Sequence, residues 1–219
     1  YREEPLPNKI QKDLELMIEI SENAPADDLL ESVGGALAPL TLTENLNELG
    51  YKNTFLAGYF YNGAPLLKRY QTPANSRTDV NTNPDPYNQT TPAEISQILD
   101  DIYQCANYGG GALRAVFGDA IKQSECKYML DLLSANKTAV LLEAGIPETT
   151  KIAHKHGWIL ESDGLIHCIS DAGIVYSPNA TYVFTMFFYD ANQLVFDPVN
   201  VMASQISGVV YQFFNPNLG

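Results

Sequence analysis

The sequence predicts an α+β fold, in which a helical lobe packs against an antiparallel sheet and a C-terminal helix closes the structure. Three observations carry that prediction. Apolar residues recur at helical spacing through much of the first 148 positions, with caps and breakers between the segments. After Pro147 the period changes, and three runs rich in Ile, Val, Tyr and Phe follow with turn residues between them. A last helical pattern begins at Asp197-Pro198. Residues 1–148 thus form a helical lobe with a long loop over 51–89, and residues 149–219 form the sheet and final helix, the two interleaved as one structural unit.

The elements follow in order. Ile10, Leu14, Met17 and Ile18 share one helical face, and the polar run Ser21-Glu22-Asn23 stops that helix because such side chains favour caps and turns. Pro25 forbids a smooth continuation, so the next helix is expected from Asp27. Thr41-x-x-Glu44 reads as a capping box for a short helix with Leu42, Leu46 and Leu49 on one side and Gly50 as its C-terminal cap. From Tyr51 to Gln89 the pattern dissolves into aromatic, Pro, Asn and Asp residues, as in a functional loop or lid. Thr91-Pro92-Ala93-Glu94 then opens a helix that buries Ile95, Ile98, Leu99, Ile102 and Tyr103. Gly109-Gly110-Gly111 breaks it without the spacing of a phosphate cradle. A further helix over 124–135 turns Met129, Leu130 and Leu133 inward. Strands are expected at 151–160, 166–176 and 182–189, with turns at Asp163-Gly164 and Ser177-Pro178-Asn179, which makes an antiparallel meander. On the final helix, Val201, Met202, Ile206, Val209, Val210 and Phe213 form the stripe expected to lie across the sheet.

Composition bounds the function. With 45% hydrophobic residues in 219, the chain can bury a proper core. Its 13 basic and 26 acidic residues leave a net charge of -13, which argues against a nucleic-acid or anionic-membrane partner. No apolar run is long enough to span a bilayer. The chain opens without an initiator Met, as expected of a trimmed form whose export signal has been removed, so an extracytoplasmic location, periplasmic or secreted, is expected. None of the three cysteines stands in a CxxC. Cys105 and Cys126 flank the Gly-rich loop, either paired as a disulfide in an oxidising compartment or free, and Cys168 reads as a buried thiol in an apolar strand. His154 and His156 share a strand face and, with His167, invite a metal, but no carboxylate stands at a ligand-like spacing nearby; neither a metal nor a cofactor is expected.

Two stretches carry chemistry. A hydroxyl and a carboxamide, Ser21 and Asn23, on a tight connection between two buried helices can face a cleft, although the same residues also make an ordinary helix–helix turn. In Ala153-His154-Lys155-His156-Gly157-Trp158, a lysine beside a glycine suits an anionic group such as a carboxylate, and it equally suits an edge strand guarded against aggregation.

Met17-Ile18-x-x-Ser21-Glu22-Asn23-x-x-x-x-x-Leu29-Leu30, then Leu49-Gly50-x-x-Asn53-Thr54, resembles the Ser-Asp-Asn region of class A serine β-lactamases and related penicillin-binding proteins. Thr90-Thr91-Pro92, Met129-Leu130-Asp131, Ala144-Gly145-Ile146-Pro147, the Lys155 strand and Asp171-Ala172-Gly173-Ile174-Val175 continue the resemblance in order over nearly the whole chain. Arg77-Thr78-Asp79 and Asn83-Pro84-Asp85-Pro86-Tyr87 are similar to a β-lactamase-like branch of uncertain substrate.

The resemblance implies an active site between lobes, working by acyl transfer through a serine ester on β-lactam or cell-wall peptide amides. In that scheme Ser21 relays a proton to the leaving nitrogen, Asn23 binds the substrate's side-chain amide, and Lys155 supports Ser21 while attracting the substrate carboxylate. His156 and Gly157 line the substrate, and the Trp158 backbone N–H is half of the oxyanion hole.

Three departures qualify it. The family's nucleophilic Ser-x-x-Lys precedes the Ser-Asp-Asn turn, and nothing between Tyr1 and Ser21 matches it, so the resemblance implies an N-terminally incomplete fold with the nucleophile upstream. Ser124-Glu125-Cys126-Lys127 and Ser134-Ala135-Asn136-Lys137 fit the pattern but fall after the turn, and read as coincidences. No Glu stands between Glu48 and Glu94, where class A enzymes place the deacylating base; Asp79 and Asp85 are the substitutes available. His156 replaces the family's Thr or Ser. The chain alone is therefore expected to be inactive, and the alternative is a non-catalytic module on the same fold that binds cell-wall peptides or a protein.

Overall fold

The computed structural model describes residues 6–80, 83–136, 138–161 and 163–216. Helix α1, Asn8–Glu19, ends at the Ser21 connection, and α2 runs from Asn23 to Gly34. The second helix begins four residues ahead of the expected Asp27. Pro25 lies in its first turn, where a missing N–H costs no intrahelical bond. The same reason moves α3 to Ala38–Glu48, with Pro39 in its first turn and Thr41 in its interior, so Thr41-x-x-Glu44 is not a capping box. Gly50, at φ 97°, ends the segment in a backbone conformation that suits glycine.

The long loop is ordered by side chains. Its ends pair as a short ladder of β1, Phe55–Leu56, and β2, Asn88–Gln89. Helix α4, Pro92–Tyr108, opens with Thr91 Oγ1 accepting the Glu94 N–H at 3.2 Å. The Glu94 carboxylate does not reach back to close a capping box. It accepts instead from the backbone N–H groups of Lys52 and Asn53 at 3.0 Å, from Asn53 Nδ2 at 2.7 Å and from Thr54 Oγ1 at 2.6 Å. Asn53 Oδ1 in turn accepts from the Ala74 N–H at 2.8 Å, so one carboxylate ties α4 to both parts of the loop.

Gly109 caps α4 in the left-handed region, and a further short helix follows, α5, Gly111–Phe117, which a Gly-rich start hides from pattern reading. Then comes α6, Gln123–Ser134. A disulfide joins Cys105 on α4 to Cys126 on α6 across a separation of 21 residues.

Strands β3, Lys151–Trp158, β4, Cys168–Tyr176, and β5, Thr181–Tyr189, form an antiparallel meander in that order. Lys155 pairs with Ala172 and His156 with Asp171. Period-2 alternation then sorts the side chains. Ala153, Ala172 and Ile174 join Leu99, Leu130 and Leu133 of α4 and α6 in one core, whereas Ile152, Ile169 and Val175 join Val199, Ala203 and Tyr211 of α7, Phe196–Phe214, in another. The sheet thus lies between the helical region and the C-terminal helix.

The stripe expected to cover the sheet is displaced on α7. Val201, Val209 and Phe213 are 55%, 66% and 76% exposed, and the buried positions are Val199, Ala203, Ser207 and Tyr211. Small residues win because α7 presses on a 3-10 turn, Glu143–Gly145: Ser207 Oγ donates to Leu142 O at 2.7 Å, and a Cβ on Gly145 would stand 2.1 Å from Ser204 O. Cys168 is exposed at the start of β4 rather than buried. The strand begins there, two residues later than expected, before its covered stretch.

Candidate active site

The connection between α1 and α2 holds Ser21 at φ 60°, an uncommon conformation for a residue other than glycine. The turn is closed by Glu22 N–H, which donates to Leu16 O at 3.2 Å. That turn presents the Ser21 hydroxyl to Lys155, 134 positions later, whose Nζ donates to Ser21 Oγ. A second bond, from Lys155 Nζ to His156 O at 3.1 Å, fixes the ammonium against its own strand. Burial lowers the Lys155 pKa from its ordinary value, and the Asp171 carboxylate opposes part of that shift.

β3 is an edge strand, so alternate backbone N–H groups face away from β4. Lys155 and Gly157 project on the helix-facing side of the sheet. There a cavity of about 420 Å³ opens beside Lys155, with apolar walls that include Met17 and Ile18 of α1, Ile98 of α4, Met129 of α6 and Phe187 of β5. Asn23, the first residue of α2, is exposed and lines a second, larger groove whose lining does not include Ser21.

The opposite face of β3 carries different chemistry. The His156 ring turns toward Thr138 Oγ1, 2.9 Å from Nε2, and packs edge-on against Trp158 at 4.6 Å between centroids. Burial and then the Lys155 charge push the His156 pKa down to about 4, so its imidazole is neutral at pH 7. Trp158 in turn packs at a tilt against Phe196, 4.7 Å between centroids. The His156 ring thus bonds and packs toward Thr138 and Trp158, although the residue joins Lys155 and Gly157 in lining the cavity.

His154, almost fully buried on that same face, stands between two carboxylates: Nδ1 is 3.0 Å from Asp171 Oδ1 and Nε2 is 3.4 Å from Glu143 Oε2. Gly173, paired with His154 across the ladder, leaves room for it; a Cβ there would meet His154 Cβ at 2.7 Å. The spacing along the chain gives no hint of this group, because Glu143 comes from the 3-10 turn and Asp171 from the neighbouring strand. Among the described residues no cluster of His, Cys, Asp and Glu is arranged to hold a metal.

Asp79 and Asp85 are both exposed on the long loop and line neither cavity. Arg77 bonds Asp79 through Nε at 2.9 Å and, with the backbone, holds its carboxyl down to about 2; Asp85 accepts the Tyr87 N–H at 2.8 Å. Ser124 and Lys127 are exposed on α6, and Ser134 Oγ donates to Leu130 O at 2.7 Å, while Lys137 lies outside the described residues. None of these serines lines the cavity at Lys155.

A family model for the β-lactamase enzyme family matches residues 7–214. The chain belongs to that family. Solved structures of the family share its fold. One, a structure of PBP-A, is 26% identical with a TM-score of 0.64, the alignment covering 94% of this chain and 62% of that one. A class A β-lactamase from Bacteroides cellulosilyticus is 21% identical, with a TM-score of 0.65 and coverages of 94% and 64%. An ancestral class A β-lactamase is 24% identical, with a TM-score of 0.62 and coverages of 93% and 65%. The chain therefore spans a little under two thirds of the length of these relatives. No curated protein matches it. Within the family fold, the turn at Ser21 and the strand at Lys155 face one another across the junction of helices and sheet.

Proposed function

We propose that this β-lactamase-family chain forms one wall of a serine acyl-transfer site acting on β-lactam or cell-wall peptide amides, with the nucleophile supplied by a Ser-x-x-Lys segment upstream of these residues. The observation that carries the reading is the contact of Lys155 Nζ with Ser21 Oγ, held by a turn at positive φ on one side and an edge strand on the other. A hydroxyl pinned to an ammonium can take a proton from one neighbour and pass it to a leaving nitrogen while the cation offsets the charge that moves. The lowered Lys155 pKa suits that exchange, and the same ammonium attracts a substrate carboxylate. Asn23 offers a carboxamide to the substrate's amide, and the open edge of β3 at Gly157 and Trp158 offers backbone N–H to an oxyanion. The apolar cavity of about 420 Å³ beside Lys155 has the lining that an amphipathic helix bearing the nucleophile would cover.

The same reading makes turnover of a β-lactam slow, because Asp79 and Asp85 line neither cavity and no Glu stands in the long loop. A variant of PBP-A, 24% identical to this chain, forms an acyl-enzyme complex with penicillin G, which supports acyl transfer as the chemistry of this fold. An extracytoplasmic site of action fits such substrates.

The test uses a longer chain that includes the upstream sequence, exposed to a fluorescent penicillin. Covalent labelling at an upstream serine is expected, and Lys155→Ala should cut the labelling rate by about a hundredfold or more. The 219-residue chain alone should not be labelled. Labelling unchanged by Lys155→Ala removes the assigned role. A longer chain without the serine is the outcome that favours a binding module of peptides or protein instead.

A further inference from the structure

The buried group around His154 has no part in the acyl-transfer steps above. The ring, 1% exposed, turns both nitrogens to carboxylates from other elements. Nδ1 stands 3.0 and 3.1 Å from the two oxygens of Asp171, equally buried on β4. Nε2 and Glu143 Oε2 lie 3.4 Å apart, both are sealed from solvent, and neither has a hydrogen-bond partner elsewhere among the described residues. A neutral imidazole keeps one lone pair, and in either tautomer that lone pair would face a carboxylate. Only the ring with both protons offers an N–H to each side, and it leaves neither acid without a counter-charge. The acids hold their places without His154. Asp171 Oδ2 also accepts the Leu142 N–H at 3.1 Å, and Ser207 Oγ pins Leu142 O at 2.7 Å, which fixes the turn that bears Glu143. The other titratable groups about the ring are on its own strand: the His156 ring is 6.2 Å away between centroids, and Lys155 follows His154 on the other face.

We propose that His154 is a positioning residue for the acyl-transfer site, a buried imidazolium that balances Asp171 and Glu143 behind the sheet and so sets the field in which the Lys155 ammonium stands. The charge relation stands on the buried group itself; its use in acyl transfer rests on the reading above. The link to Lys155 is short, because Lys155 pairs across the ladder with Ala172, the neighbour of Asp171. Burial lowers the Lys155 pKa and the Asp171 charge opposes that shift, so a cation seated on Asp171 removes part of the opposition. With His154 charged, the Lys155 ammonium gives up its proton at lower pH, as an exchange through Ser21 requires.

The experiment follows the His154 ring nitrogens and the Lys155 side chain by NMR in the 219-residue chain labelled with ¹⁵N-histidine and ¹³C-lysine, Lys155 being identified by its loss in Lys155→Arg. At pH 7 both His154 nitrogens are expected at imidazolium shifts. His154→Gln should raise the pH at which Lys155 titrates by about one pH unit, and His154→Gln/Asp171→Asn should return it to the wild-type value, because both charges of the pair are then gone. A merely structural His154 gives no such return. A His154 nitrogen at the shift of a lone-pair nitrogen, as when Glu143 keeps the proton, overturns the proposal, and so does a Lys155 titration unmoved by His154→Gln. If the His154 variants do not fold, Glu143→Gln decides: the ring should lose its proton at lower pH and Lys155 should record the same step, whereas a Lys155 titration blind to the ring overturns the proposal. Exposure of the longer chain to fluorescent penicillin separates the two readings. Labelling there with Lys155 unmoved by His154→Gln keeps acyl transfer and removes the His154 role, whereas a moved Lys155 in a chain that is not labelled keeps the charge relation and removes its use in acyl transfer.

Discussion

Replacing Glu94 by Ala tests how the long loop is held. The carboxylate receives four hydrogen bonds, two from backbone N–H groups and two from side chains, over 2.6–3.0 Å. Glu94 is half-buried, so each is discounted from the value of a fully shielded charged bond, and the sum lost is about 3 kcal/mol. For a chain of this size that is roughly 6–12 °C in Tm. Glu94→Gln keeps one acceptor and should lose about half as much. Burial pushes the Glu94 pKa up, but the bonds from Thr54 and Asn53 outweigh it and leave the pKa below its ordinary 4.5. A carboxyl depressed on folding stabilises fully above the ordinary value and loses that contribution as pH falls through the folded one. The gap in Tm between wild type and Glu94→Ala should therefore be widest near neutrality and narrow in acid, measured by circular dichroism melts between pH 7 and pH 3. A gap under about 2 °C at pH 7, or one independent of pH, refutes the anchoring role.

Three further outcomes follow from the packing. The Cys105→Ala/Cys126→Ala double variant removes a link over 21 residues and should lose about 3 kcal/mol, read as a lower denaturant midpoint, while thiol titration of the unfolded wild type should find Cys168 alone. Gly145→Ala should cost about 2–3 kcal/mol by melting, because the added carbon would stand 2.1 Å from Ser204 O and 2.6 Å from Ser207 Cβ; a neutral result denies the close approach of the 3-10 turn to α7. His156 is depressed to about 4 from 6.5, so the unfolded chain binds the extra proton between those values, and stability should fall by about 2–3 kcal/mol as pH drops through that window. His156→Asn should flatten the dependence, and an NMR titration of the His156 ring near 6.5 would refute it.

The fold was legible where one local signal decides an element. The strand runs after Pro147 and the Thr91-Pro92 cap of α4 are such cases, because period and cap chemistry act over a few residues. Boundaries slipped where a proline admits two readings. Pro25 looks like a breaker along the sequence, yet it sits in a first turn, as Pro39 does, where helices tolerate proline. The α7 stripe failed for another reason: hydrophobicity ranks Val209 and Phe213 as core, but Ala203 and Ser207 are buried because a backbone turn comes within contact distance there.

The candidate site divides along the same physical line. The resemblance to the β-lactamase family implies the pairing of Ser21 with Lys155, which neither motif carries by itself, and the two side chains meet in the structure. His156 stands in the Lys155 motif, yet strand alternation sends its ring to the other face, toward Thr138 and Trp158. Adjacent letters on a strand are opposite in space, so a motif read as one site is split by the sheet that bears it. The reverse holds for the groove beyond Asn23. Asp27 and Tyr59-Phe60-Tyr61 are far apart in sequence and unremarkable singly, and the bond from Phe60 N–H to Asp27 makes them one surface. Long-range pairs of this kind leave no periodicity to read. They arise only once α2 has been set against the loop that Glu94 anchors, which ties the chemistry of the groove to the stability of a segment that touches neither Ser21 nor Lys155 through any bond found among the described residues.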